Sequence, residues 1–150
     1  MKLRIPPLAD IPDPPDPEGK SGNFVAATHK DRFVCVVDDD EAVRDSTQML
    51  LGIYGFKVRT YAGARQFLAE FDAASTGCLI LDIHMPEMTG IELLTLLRAR
   101  GITTPVIIVS GQTDPVLSEI LTRSGALAIL HKPVNDDELM KQVARALAAP

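Results

Sequence analysis

Cys78-Leu79-Ile80-Leu81-Asp82-Ile83-His84-Met85-Pro86-Glu87-Met88-Thr89-Gly90 holds the plan of the whole chain in one segment. Four apolar residues without alternation lead into a carboxylate. That pattern fits a short strand covered on both faces. A loop containing proline follows Asp82, and Thr89-Gly90-Ile91-Glu92 then has the form of a capping box. Leu93, Leu94, Leu96 and Leu97 continue the helix, and Gly101 stops it. The segment therefore reads as strand, polar strand end, loop and helix, which is half of a βαβ unit.

The same order recurs on both sides. Apolar runs fall at 33–37, about 56–60, 78–82, 105–109 and 126–130. Phe56-Lys57-Val58-Arg59-Thr60 alternates apolar and polar, as an edge strand does, whereas the other four are nearly all apolar. Asp114-Pro115 suits a helix start. Asn135-Asp136-Asp137-Glu138 opens a last helix, in which Leu139, Val143, Ala146 and Leu147 make one stripe. Strands separated by helical patterns imply right-handed crossovers. The expected fold is α/β: a doubly wound, flavodoxin-like, five-stranded parallel sheet of order 2-1-3-4-5 with five helices. Residues 1–31 stand apart from the domain expected over 32–150. Their prolines at 6, 7, 12, 14, 15 and 17 predict an extended, disordered arm. A polyproline docking tail and a plain linker both remain open for it.

Composition narrows the function classes. The chain has 150 residues, 46% of them hydrophobic and 23% charged, with a net charge of −5. These are the proportions of a soluble globular domain. No apolar run nears the ~20 residues of a membrane helix, and Met1 to Arg4 do not begin a secretory signal. The expectation is a cytoplasmic protein with no membrane contact. With no basic stripe, direct nucleic-acid binding by this chain is not expected either. Cys35 and Cys78 lie in strand-like runs and read as buried free thiols. Gly19-Lys20-Ser21 lacks the upstream glycine and the strand of a phosphate-binding loop.

The chemistry lies at the carboxyl ends of the strands, the edge where ligands bind in such sheets. Asp38 and Asp39 follow the first run, Asp82 the third, Ser110 the fourth, and Lys132 lies just past the fifth. A pair of carboxylates 4 Å apart repels by roughly 4 kcal/mol at an effective dielectric of about 20. Such a group either holds a proton or receives a cation. All-oxygen ligands favour Mg²⁺, with Mn²⁺ also possible. Lys132 and Ser110 suit a phosphoryl group rather than a bare cation, so the set reads as Mg²⁺-assisted phosphoryl transfer. A carboxylate can itself accept the phosphoryl group, and Asp82, at the end of the expected central strand, is the best candidate. Asp40 and Glu41 read as helix-start residues, His29 as a tail residue, His131 as facing solvent or the helix layer, and Met85 and Met88 as packing residues.

Val37-Asp38-Asp39 with Arg44, Leu81-Asp82 through Gly90, Val109-Ser110-Gly111 and His131-Lys132-Pro133 together resemble the signature set of the receiver domain of bacterial two-component response regulators. The match spans about residues 32–148 and is most similar to receivers of the nitrogen-fixation, LuxR-coupled kind. The resemblance implies that Asp82 accepts a phosphoryl group from a phosphohistidine on a sensor histidine kinase or histidine phosphotransfer protein. It implies that Asp39 holds Mg²⁺ directly and Asp38 largely through water, with Asp82 and the backbone carbonyl of His84 as further ligands. Lys132 would pair with one phosphoryl oxygen, and Ser110 would donate to another and move toward it. Lys132-Pro133 would be a cis peptide. The resemblance also implies that His84 and Gln112 would flank the pocket, at positions that tune dephosphorylation in the family.

One position departs from the pattern: where the family carries Phe or Tyr on the fifth strand, this chain has Ile129. The expected function is a phospho-accepting signalling domain, not an enzyme, that switches a surface for a downstream protein target. It would be stand-alone or the excised receiver of a DNA-binding regulator, with weak homodimerisation open. Two alternatives are a Mg²⁺-dependent aspartyl phosphatase of the haloacid-dehalogenase kind, whose Asp-x-Asp pattern fits poorly here, and an unphosphorylated pseudo-receiver.

Overall fold

Five strands form one parallel sheet: β1 (Phe33–Val37), β2 (Lys57–Tyr61), β3 (Thr76–Asp82), β4 (Val106–Ser110) and β5 (Ala128–His131). Their spatial order is β2-β1-β3-β4-β5, so the expected doubly wound topology is present with β3 at the centre. The helices are α1 (Glu41–Ile53), α2 (Ala64–Glu70), α3 (Gly90–Ala99) and α4 (Asp136–Ala148). This computed structural model describes residues 32–111, 119 and 122–148. The expected arm, His29, Gln112 and the Asp114-Pro115 cap lie outside the described residues. Of the fifth helix expected between β4 and β5, Glu119, Thr122 and Arg123 are described and helical. No helix among the described residues is long and apolar enough to cross a membrane.

The strands begin where local bonds allow. β3 starts at Thr76, two residues earlier than the apolar run suggests, because the Thr76 hydroxyl donates to the Asp72 carbonyl at 2.8 Å and Phe33 pairs with Thr76. β5 starts at Ala128, two residues later than expected, after a turn at Gly125 with φ +86°. There Arg98 of α3 donates to the carbonyls of Ile102 and Gly125, joining the end of that helix to the approach to β5. Lys57 and Arg59 of β2 are exposed, as an edge strand requires. β5 forms the other edge and is only half covered at Ala128 and Ile129.

The sheet divides the core in two. One cluster joins Cys35, Leu79, Leu81 and Ile108 to α2 and α3, and Phe67 stacks against Tyr61 and Phe71 with ring centroids 5.4 and 5.1 Å away. Met85 is buried in this cluster and Met88 packs against it, in line with their expected packing role. The other cluster joins Val34, Val36, Cys78, Ile80 and Val109 to α4 and to Leu51 of α1. The expected α4 stripe, Leu139, Val143, Ala146 and Leu147, is buried there, along with Met140. Cys35 and Cys78 are free and buried on neighbouring strands. Val34 pairs with Cys78 and Cys35 with Leu79, so the two thiols point to opposite faces. Burial pushes both thiols above their ordinary ionisation range.

Candidate functional site

Asp82 and Ser110 end their strands, Asp38 and Asp39 directly follow β1, and Lys132 directly follows β5. Period-two alternation puts Asp38 on the face of Val36 and Asp82 on the face of Ile80, toward α1 and α4. Asp38, Asp82 and Ser110 are all buried, at 3%, 5% and 1% exposure, while Asp39 is exposed. One carboxylate oxygen from each of Asp38, Asp39 and Asp82 lies within 4.8 Å of the others. Lys132 reaches into this group, its Nζ 3.3 Å from Asp38 Oδ2 and 3.5 Å from Asp82 Oδ1. The backbone N–H of Lys132 donates to the Ser110 carbonyl at 2.8 Å, which sets the two residues side by side. Lys132-Pro133 is cis, as the resemblance implies. His84 is exposed, two residues past Asp82, and His131 is exposed at the end of β5.

The electrostatics follow from this packing. Burial raises the Asp82 carboxyl above its ordinary range, and the Asp38 charge raises it further, while Lys132 opposes both. Burial would depress Lys132, but Asp38 and Asp82 outweigh it and hold the ammonium above its usual value. One ammonium thus meets two of the three clustered carboxylates. An all-oxygen donor set on two strand ends, with excess negative charge, fits a hard divalent cation. That is the donor chemistry that Mg²⁺ requires.

The loops that carry these groups are tied at several points. Asp40 is the N-cap of α1, its carboxylate accepting from the N–H groups of Ala42 and Val43. It therefore serves the helix start, as expected. After Asp82 the chain turns through Glu87, a non-glycine residue at φ 69°, and closes with the Gly90 N–H on the Ile83 carbonyl at 2.9 Å. A Cβ on Gly90 would stand 2.4 Å from the Asp82 carbonyl oxygen, so only glycine permits this closure. Thr89 then caps α3, and its full capping box is present.

Two features were not visible in the sequence. The first is a cavity of about 400 Å³ between α1 and α4, walled by Val36, Val43, Leu50, Ile80 and Leu139, with Asp38, Asp82 and Lys132 at its polar end. The second is the Arg44 side chain, which donates to the Asp38 carbonyl at 2.8 Å. Arg44 stood out in the sequence only as part of the family pattern. The departure at Ile129 also has a setting: the side chain is half-buried and packs against the α2–α3 cluster beside the β4–β5 pairing of Ile108 with Ile129.

The family model of the response regulator receiver domain matches residues 34–144. The chain is 40% identical over 118 residues to the C4-dicarboxylate transport transcriptional regulatory protein DctR of Rhodobacter capsulatus, covering 77% of this chain and 60% of that protein. It is 37% identical over 114 residues to the transcriptional regulatory protein FixJ of Bradyrhizobium diazoefficiens, covering 76% of this chain and 56% of FixJ. The chain therefore spans somewhat more than half the length of these relatives. Among solved structures it resembles FixJ-N, with a TM-score of 0.73 and 33% identity, over 80% of this chain and 96% of that one. Fold, strand-end constellation and these matches agree: the chain belongs to the receiver-domain family of two-component response regulators and is similar to receivers of the FixJ type.

Proposed function

We propose that Asp82 is the phosphoryl acceptor of a Mg²⁺-dependent receiver, taking the group from a phosphohistidine and switching a protein-binding surface. The observation that carries this reading is the grouping of Asp38, Asp39 and Asp82 oxygens within 4.8 Å, with Lys132 held against two of them. Asp82 is the member that ends the central strand and opens onto a loop closed by Gly90. An Asp82 oxygen forms the new bond to phosphorus as the donor's P–N bond breaks and the imidazole leaves. Lys132, already between Asp38 and Asp82, turns to a phosphoryl oxygen as that charge arrives. Ser110, buried on the neighbouring strand, donates to a second oxygen. Asp39, Asp38, Asp82 and the His84 carbonyl would hold Mg²⁺, with Mn²⁺ as a substitute. When bound, the cation neutralises the carboxylates and the phosphoryl oxygens.

The donor would be a sensor histidine kinase or a histidine phosphotransfer protein in the cytoplasm. The output would be a downstream protein target, or a DNA-binding segment of a longer regulator, since the relatives named above are transcriptional regulators. Within this reading, Ile129 replaces the aromatic readout by shifting against the α2–α3 cluster. The domain promotes its own phosphorylation and dephosphorylation rather than turning over a separate substrate.

The test is incubation with acetyl phosphate and Mg²⁺, followed by intact mass measurement. One phosphoryl group should be gained by the wild type, and none after chelation of the metal or in Asp82→Asn. A wild type that gains nothing, with acetyl phosphate or with phosphorylated histidine donors, would overturn the reading. Steady release of phosphate from small phosphate esters would favour a phosphatase instead.

A further inference from the structure

We infer that Arg44 is a positioning residue for the acidic pair: it aims Asp39 by holding the carbonyl of Asp38, and does not act as a countercharge. The inference rests on the Mg²⁺-binding reading above.

Asp38 is held on every side. Its N–H donates to the Tyr61 carbonyl at 3.1 Å, its Oδ1 accepts from the Asp40 N–H at 2.9 Å, and its Oδ2 faces Lys132 at 3.3 Å. The Arg44 guanidinium completes the set, donating to the carbonyl at 2.8 Å. Of these four contacts, the one from Arg44 fixes the peptide that leads to Asp39. The carbonyl of Asp38 and the N–H of Asp39 share one rigid plane, so the direction of the first sets where the second residue emerges. Asp39 is exposed, whereas Asp38 and Asp82 are buried, so its placement depends most on the backbone beneath it. Arg44 is itself anchored in the first turns of α1, where its N–H donates to the carbonyl of the cap residue Asp40 at 3.0 Å. The arginine thus couples the start of the helix to the end of β1 through a charge-assisted bond.

The two possible roles of a cation here have opposite signs. A positive charge beside three carboxylates repels Mg²⁺, so a guanidinium acting only through its charge would weaken metal binding, and removing it would tighten binding. A guanidinium that aims a ligand would strengthen binding, and removing it would loosen binding. Groups that orient metal ligands typically contribute 10–100-fold to affinity.

The experiment is Mg²⁺ titration of the wild type, Arg44→Gln and Arg44→Lys, read by calorimetry and by backbone amide shifts, with melting temperatures alongside. Arg44→Gln should bind Mg²⁺ roughly tenfold more weakly while melting within a few degrees of the wild type. Arg44→Lys, which keeps the charge but loses the planar guanidinium that makes this bond, should fall between the two. Tighter or unchanged binding in Arg44→Gln overturns the inference. If Arg44→Gln does not fold, Arg44→Lys decides: binding equal to the wild type overturns the inference, and weaker binding supports it. Failure of the wild type itself to bind Mg²⁺ would sink the functional reading instead.

Discussion

The two sides of the sheet differ at the edge that carries the carboxylates. Toward α2 and α3, Phe67 is fully buried between Tyr61 and Phe71, and Leu93, Leu94 and Leu97 close the layer. Toward α1 and α4, the layer contains the 400 Å³ cavity, and Leu51 is the one fully buried side chain of α1. Asp38 and Asp82 point to this second, looser side. The contrast has a physical reason. Clustered carboxylates are costly in a sealed apolar layer, whereas the open end of a cavity gives them access to water, a cation and a donor. Both faces bury β3, and the cavity between α1 and α4 leaves its carboxyl end accessible.

Substitutions test that contrast, and the largest effect belongs to the dense side. Phe67→Ala should cost about 4 kcal/mol, measured from denaturant midpoints. Gly90→Ala comes next, at roughly 2–3 kcal/mol. Alanine normally favours a helix, so a loss at this first position of α3 would show that the closure on Asp82 dominates. Thr89→Ala should cost about 1 kcal/mol by removing one half of the capping box. Leu50→Ala, on the wall of the cavity, should cost about 1 kcal/mol or less. A loss there as large as that of Phe67→Ala would erase the distinction between the two sides.

The smallest effect has the opposite sign. Because the Asp82 carboxyl is raised by burial and by Asp38, its protonated form suits the fold. The stability it lends is present below the ordinary aspartate range and is lost as pH rises through the raised value. Without divalent cations at pH 7, Asp82→Asn should therefore raise the melting temperature, by a margin smaller than any of the losses above. The gain should shrink as pH falls through the carboxylate range. A variant less stable than the wild type at pH 7 would mean that the attraction between Asp82 and Lys132 outweighs burial and repulsion.

How much of this was legible depended on how local each signal was. Asp38, Asp82, Ser110 and Lys132 could be read because a buried parallel strand is a continuous apolar run whose last residue announces the edge. The capping box of α3 and the stripe of α4 were equally local. The opposed faces of Cys35 and Cys78 were not, because they follow from a register that shifts between Phe33 and Val34. The lack of room for a Cβ at Gly90 depends on how the loop after Asp82 folds back, which no pattern in Met88-Thr89-Gly90 states. The cavity is a property of the spacing between α1 and α4, and these helices are more than eighty residues apart in sequence.

The most direct test of the account is to locate the phosphoryl group. The domain is phosphorylated with acetyl phosphate and Mg²⁺ and then reduced with borohydride, which converts an aspartyl phosphate to homoserine. Peptide mass mapping should find homoserine at position 82 alone. Homoserine at 38 or 39, or at no position despite phosphoryl gain, would contradict the assignment of Asp82 as the acceptor.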